Sequence, residues 1–264
     1  RFEIPFADSE LSAHPFYKPA DNSLESQYLK HHRDQLGGFL PKRQYTHKPL
    51  ISPELATLEA LTKGFGEREV STTMAFVRLL GILLKDKTWG KQVVPIVPDE
   101  SRTFGMEGLF KQIGIYSPVE QRYRPTDSDQ MMSYHESTRG QLLEEGINEA
   151  GAMCSWMAAA TSYANNDVPM IPFYIFYSMF GFQRVGDLCW AAGDMRAKGF
   201  LMGATAGRTT LAGEGLQHQD GHNLLLAATV PNCVAYDPCY AFELTVIVKD
   251  GIHRMMHNDE SIYY

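Results

Sequence analysis

The densest run of polar and ionisable residues in the chain is Gly213-Glu214-Gly215-Leu216-Gln217-His218-Gln219-Asp220-Gly221-His222. His218 and His222 are four apart, so on a helix they would share a face. A metal pair is one reading of that spacing. Gly221 would interrupt such a helix, however, and no H-E-x-x-H pattern occurs, so no metal site is expected. A substrate-facing loop with ionisable groups is preferred, with surface histidines at a helix start as the plain alternative. Glu149 is the second candidate, because it heads the most apolar helical stretch of the chain. A carboxylate facing a poorly solvated pocket has its pKa raised and can hold or share a proton at neutral pH. A helix-start glutamate favoured by the dipole is an equal alternative. Gly203–Gly207 with Arg208 suggests a phosphate cradle only weakly. Neither G-x-G-x-x-G nor G-x-x-x-x-G-K-[ST] is present, and small residues after a strand more simply make a turn. Cys154, between Met153 and Trp156, reads as a buried inert thiol rather than a nucleophile.

These groups act together only if the elements between them bring them to one place. Val93–Val97 and Met170–Phe176 are short apolar runs, as expected of strands buried on both faces of a parallel sheet. Pro95 speaks against a central position for the first of them. Gly199–Ala204 and Asn232–Tyr236 read as two more strands, and Ser261–Tyr264 as the start of another. Helical patterns cover Ser26–Leu36, Glu54–Thr62 with Ser52 as N-cap and Pro53 at N1, and Ser71–Leu84 capped by Ser71 or Thr72. Further helices are expected over Glu144–Tyr163, Phe180–Ala197 and Tyr240–Val248. Small residues on the first of these (Gly151, Ala152, Ala158) allow a close helix contact, within the domain or across a dimer. Strands alternating with helices call for an open α/β sheet, mostly parallel and flanked by helices. Such sheets bind ligands beyond the carboxyl ends of their strands. The polar clusters lie there: Asp99-Glu100, Tyr177-Ser178, and the segment from Thr205 to His222.

The chain has 264 residues, 44% of them hydrophobic, enough for one large domain plus an arm. Residues 1–50 are rich in Pro, His and charge and read as that arm, with the domain over 51–264. Net charge is −7 and the pI about 5.7, so no nucleic-acid backbone is expected as partner. The one basic run, Lys30-His31-His32-Arg33, meets Asp34 at once and reads as a solvated helix face. Four cysteines without a C-x-x-C pair fit a reduced, cytoplasmic protein with buried thiols. No apolar run of about 20 residues is present, so no membrane span is expected. With no signal-peptide layout, no initiator methionine and Tyr263-Tyr264 inside an expected strand, the chain reads as cut at both ends.

Longer blocks then carry a resemblance. They are Ser71–Arg78 (STTMAFVR), Asp99–Phe110 (DESRTFGMEGLF), Glu145-Gly146-Ile147-Asn148-Glu149, Phe173–Gly186 (FYIFYSMFGFQRVG), Leu188–Asp194 (LCWAAGD) and Gly213–His222. Through them the sequence is similar, nearly end to end, to the homodimeric bacterial type of thiamine-dependent pyruvate dehydrogenase. Leu36–Pro41 resembles the segment between that family's first two domains. The resemblance implies a thiamine-diphosphate-binding fold and the family's pyrimidine-binding region. It implies that Glu149 hydrogen-bonds the ring nitrogen of the aminopyrimidine, that Asp99 and Glu100 line the same site, and that Tyr177 and Phe180 flank the flat ring. It places Glu214 and His218 at the substrate end, as catalytic residues beside Glu149.

By the same resemblance the reaction is oxidative decarboxylation of pyruvate, with the acetyl group passed to a lipoyl group of a transacetylase component. Magnesium and the diphosphate belong to another region of the enzyme with a G-D-G…N pattern, which this sequence lacks. Each site of the family's homodimer forms between the pyrimidine region of one subunit and the diphosphate region of the other. The chain is therefore expected to be inactive alone. Two other readings stand beside this one: a transketolase-type thiamine enzyme acting on sugar phosphates, and a non-catalytic assembly module that keeps the fold.

Overall fold

The computed structural model describes residues 5–38, 53–98, 101–204 and 215–257, the side chains of Leu55 and Ala56 excepted. The chain divides into two compact units, Arg1–Gln44 and Tyr45–Tyr264. In the first, α1 (Leu24–Gln35) is capped by Ser23, whose hydroxyl accepts the Ser26 N–H, and it buries none of its residues.

The second unit carries the sheet. In chain order its elements are α2 (Glu59–Thr62), α3 (Thr72–Leu84), β1 (Val93–Val97), α4 (Leu109–Gln112), β2 (Ile115–Tyr116), β3 (Glu136–Ser137) and β4 (Leu143–Glu144). Then come α5 (Glu149–Ala160), α6 (Ser162–Asn165), β5 (Ile171–Tyr177), α7 (Phe182–Asp194), β6 (Phe200–Ala204), α8 (Asn223–Ala227) and α9 (Ala241–His257). Four strands lie in the order β4-β1-β5-β6, every pairing parallel, and β2 pairs with β3 separately.

The apolar runs are buried on both faces because helices cover both. Phe173 and Ile175 of β5 join one core with Phe76 and Leu80 of α3 and Val248 and Ile252 of α9. Tyr174 and Phe176 point the other way, into a core with Ala152, Met153 and Trp156 of α5 and Cys189 of α7. This is the period of two expected of a strand, read out as two cores. Phe173 stacks on Phe200 at 4.7 Å between centroids, and the Trp156 indole N–H donates to the Phe200 carbonyl at 3.0 Å.

Pro95 sits in a central strand after all. The Val97 carbonyl accepts the Glu145 N–H, and the Val93 carbonyl accepts the Gln141 side-chain amide. Alternation puts the Pro95 nitrogen on that same flank, ahead of the point where β4 begins to pair at Ile96↔Leu143. The missing N–H thus falls where no neighbouring ladder asks for it, and Gln141 bridges the gap with a second bond to the Gly90 carbonyl.

Several expected elements differ. Glu144 ends a strand and the helix begins five residues later, because Asn148 caps it. Residues 54–62 form a short 3₁₀ turn followed by one turn of α-helix, and the expected Ser52 cap lies outside the described residues. Asn232–Tyr236 is no strand: only Val234 makes a bridge, and the Asn232 amide instead holds the Gly193 carbonyl at 2.9 Å. The last helix runs well past Val248, since Leu244, Val248, Ile252 and Met255 continue one buried stripe through the polar Lys249-Asp250 step. The strand expected at Ser261–Tyr264 lies outside the described residues.

Candidate functional site

The carboxyl edge of the sheet gathers most of the candidate residues. β4 delivers Glu144 there beside Val97. The Glu144 carboxylate accepts both the N–H and the hydroxyl of buried Ser101, at 2.9 and 3.1 Å. That contact anchors the chain just after Asp99-Glu100, which themselves lie outside the described residues, as does Glu214.

Gly146, at φ +74°, turns the chain out of β4, and the Asn148 Oδ1 accepts the Gly151 N–H at 3.0 Å to start α5. Glu149 is therefore the first helical residue. The hydroxyl of Tyr174, on the strand beneath, donates to the Glu149 carbonyl at 3.3 Å. Burial, and next the Glu149 carboxylate, push the Tyr174 hydroxyl far above its ordinary range, so it stays a donor. The Glu149 side chain is only 13% exposed, and its Oε1 lies 2.5 Å from a guanidinium nitrogen of Arg184 on α7. The position is thus a helix start with a charged partner. Arg184 in turn stands over the Phe180 ring at 3.9 Å from its centroid.

β5 ends at Tyr177 and passes through a 3₁₀ turn, Ser178–Phe180, into α7. Only glycine fits at Gly181, where an added Cβ would lie 2.2 Å from the buried Phe176 ring. His218 ends another 3₁₀ turn and sits edge-on to both Tyr177 (5.8 Å) and Phe180 (5.4 Å). Phe104 closes the row against Tyr177 at 5.2 Å. Glu149, Arg184, Phe180, His218 and Tyr177 are therefore linked by successive contacts.

A second set of bonds holds the His218 segment to β5. The Ser178 hydroxyl donates to Asp220, whose other oxygen accepts the N–H groups of His222 and Asn223 at 3.0 and 3.2 Å. The Asn223 amide donates back to the Ser178 carbonyl. Burial opposes ionisation of Asp220, but the bonds from Ser178, His222 and Asn223 outweigh it and hold the carboxyl below its ordinary range. His222 faces Gln183 at 3.1 Å, on a different turn from His218, so the two histidines share no helix. Among the described residues no group of three or more His, Cys, Asp or Glu could hold a metal.

Ser178 and Asp220 lay inside polar clusters marked in the sequence but were given no role of their own, and Arg184 and Asn223 were not singled out as site residues. Arg184 stands four residues after Phe180, a helical spacing that hints at their contact, but its pairing with Glu149 spans 35 positions and has no local signal. The thiols also differ from expectation. Cys154 and Cys239 are exposed, because Cys154 lies on the outer face of α5; Cys189 is buried and Cys233 partly so.

A family model described as the pyruvate dehydrogenase E1 component middle domain matches residues 52–264. The pyruvate dehydrogenase E1 components of Pseudomonas aeruginosa, Cupriavidus necator and Escherichia coli K12 are 60%, 58% and 55% identical to this chain over its whole length. The chain spans 30% of the length of each. Among solved structures, a transketolase from Campylobacter jejuni superposes with a TM-score of 0.55 at 16% identity, over 79% of this chain and 29% of its own. One from Leishmania mexicana gives 0.54 at 14%, over 79% and 28%. At such identities the likeness is one of fold: a parallel sheet between helices, as in transketolases.

Proposed function

This chain belongs to the pyruvate dehydrogenase E1 component middle-domain family, and from that premise we propose that it is the pyrimidine-binding part of a thiamine-diphosphate-dependent pyruvate dehydrogenase. The observation that carries the proposal is the row of Glu149, Phe180, Tyr177 and His218 at the carboxyl edge of a sheet whose family match is this long. We assign residues 1–50 to an arm and 51–264 to the domain.

The residues present fit a flat, weakly basic ring. Tyr177 and Phe180 offer aromatic rings set edge to face with centroids 6.1 Å apart, and Glu149 offers a mostly buried carboxylate to a ring nitrogen. When bound, the cofactor supplies the electron sink for decarboxylation of pyruvate. Glu149 holds the proton at the ring nitrogen, and Arg184 keeps its carboxylate in place. His218 and Glu214 serve the substrate end, and Asp99 and Glu100 line the cofactor. The described residues do not fit a magnesium site, which needs carboxylates with phosphate oxygens. The metal and the diphosphate are assigned to a diphosphate-binding domain of the same enzyme, the site forming across a homodimer. The acetyl group then passes to the lipoyl group of a transacetylase component. No described helix is long and apolar enough to cross a membrane, and we place the enzyme in the cytoplasm.

The test mixes this chain with a separately expressed diphosphate-binding domain, thiamine diphosphate and magnesium. Pyruvate decarboxylation is followed with an artificial electron acceptor. Neither part alone should turn over, the mixture should, and Glu149→Gln should remove most of the rate. A folded mixture that stays silent would overturn the catalytic reading in favour of an assembly module. Turnover of a ketose phosphate in place of pyruvate would favour the transketolase-type one.

A further inference from the structure

Glu144 lies at the end of β4, paired with Val97, and no step of the chemistry above uses it. It is half-buried, and its Oε2 is buried without a hydrogen-bond partner. A buried polar atom left so costs stability. A carboxylate here is therefore a poor device for holding the sheet together. What it does hold is Ser101. The Ser101 N–H and hydroxyl both donate to the Glu144 Oε1, at 2.9 and 3.1 Å, across 43 positions of sequence, and Ser101 is fully buried.

Ser101 opens a 3₁₀ turn, Ser101–Phe104, that leads from the sheet edge to the aromatic row. At its far end Phe104, 1% exposed, packs on the Tyr177 ring at 5.2 Å between centroids. The outer side of the turn has its own fastening, since Arg102 donates to the Asp127 carboxylate and the Met132 carbonyl. At the inner end the Ser101 carbonyl takes the Met106 N–H from within the same loop, at 2.9 Å. Glu144 ties that end to β4. In a close-packed interior a turn so held sets where Phe104 stands, and Phe104 limits the angle of Tyr177.

We propose that Glu144 is a positioning residue of the pyrimidine site. Through Ser101 it fixes the turn, and through Phe104 it fixes the Tyr177 ring that flanks the aminopyrimidine. In this role, which rests on the cofactor reading above, Glu144 touches neither cofactor nor substrate. Its effect falls on cofactor affinity.

The test titrates thiamine diphosphate calorimetrically, with magnesium present, into the mixture of this chain and the diphosphate-binding domain, so that no turnover is needed. Glu144→Ala should weaken binding about tenfold with the same number of sites per chain. Ser101→Ala keeps the bond from the Ser101 N–H and should weaken binding about threefold. Glu144→Gln keeps an acceptor for Ser101 and should stay within about twofold of the unchanged chain. A local reporter is the Met74 methyl resonance, because the Met74 sulfur lies over Gly105, 2.7 Å from where a Cβ would stand. That resonance should shift in Glu144→Ala, and the one from Met157, in the opposite core, should not. Fewer sites at unchanged affinity would show that Glu144 only helps the chain fold. Equal affinity and equal sites in Glu144→Ala would show that it does nothing for the site, and either result overturns the proposal. An unchanged chain that binds no thiamine diphosphate would instead overturn the cofactor reading, and this role with it.

Discussion

Asp220 shows how a single carboxylate ties a loop to a strand. Its side chain is 12% exposed and accepts from Ser178, His222 and Asn223, so its folded pKa is depressed. The unfolded chain, at an ordinary 3.8, therefore takes up the proton first as pH falls. The stabilisation is complete above 3.8 and declines as pH drops from there through the folded value. Asp220→Asn should cost about 1–3 kcal/mol at neutral pH. The gap between the two proteins in urea unfolding should narrow below pH 3.8; a gap constant from pH 6 to 3 would show that the charge is irrelevant. Arg184 poses a different question. Its ion pair with Glu149 is partly exposed, so Arg184→Met should move stability by at most about 1 kcal/mol. In the reconstituted mixture it should nevertheless lower the rate roughly tenfold, the loss expected when a reacting group is no longer held in place. Equal losses of stability and rate would mean that Arg184 only helps the fold. Glu149 and His218 stood out as candidates because residue type and adjacency to apolar runs are local properties, whereas Phe180 and the role of Tyr177 were marked only by the family resemblance. The pairings of Arg184 with Glu149 and of Asp220 with Ser178 were not legible, since those partners arrive from distant elements.

The same division holds for secondary structure. β1, β5 and β6 stood out because strands buried on both faces leave continuous apolar runs, and α3 stood out by its periodicity and its Ser71 cap. β4 has two residues, too few for any pattern, so its Glu144 was absorbed into the following helix. The apolar look of Asn232–Tyr236 suggested a strand, but among the described residues only Val234 makes a bridge and no ladder forms. The start of α5 matters most for the proposed function, since it sets where Glu149 stands. Asn148→Ala removes the bond to the Gly151 N–H and should cost about 1 kcal/mol, read as a lower melting temperature. Asn148→Asp, which keeps an acceptor at the cap, should restore most of it. If alanine and aspartate melt alike, the cap contributes nothing and the bond from Tyr174 to the Glu149 carbonyl holds this helix end by itself.

At the scale of the whole molecule, the two cores on either side of the sheet differ in what a chemical probe can reach. Cys154 and Cys239 face solvent, whereas Cys189 and Cys233 belong to the core under α5 and α7. Burial pushes both inner thiols up to about 12, Cys189 with smaller help from Cys233 and Asp187. At pH 8 a thiol with that pKa is roughly 1,000-fold less ionised than one at the ordinary value of 9, and only the thiolate attacks a disulfide reagent. Two thiols should therefore react at once with an aromatic disulfide and two should lag. The lag also reports on cooperativity. If the layer formed by α5 and α7 opens only with global unfolding, the labelling rate of Cys189 should follow the urea dependence of the full transition. A Cys189 rate insensitive to urea would instead mean that the layer opens locally. That outcome would bear on the site, because the residue on α7 that holds Glu149 sits one helical turn and a residue from Cys189.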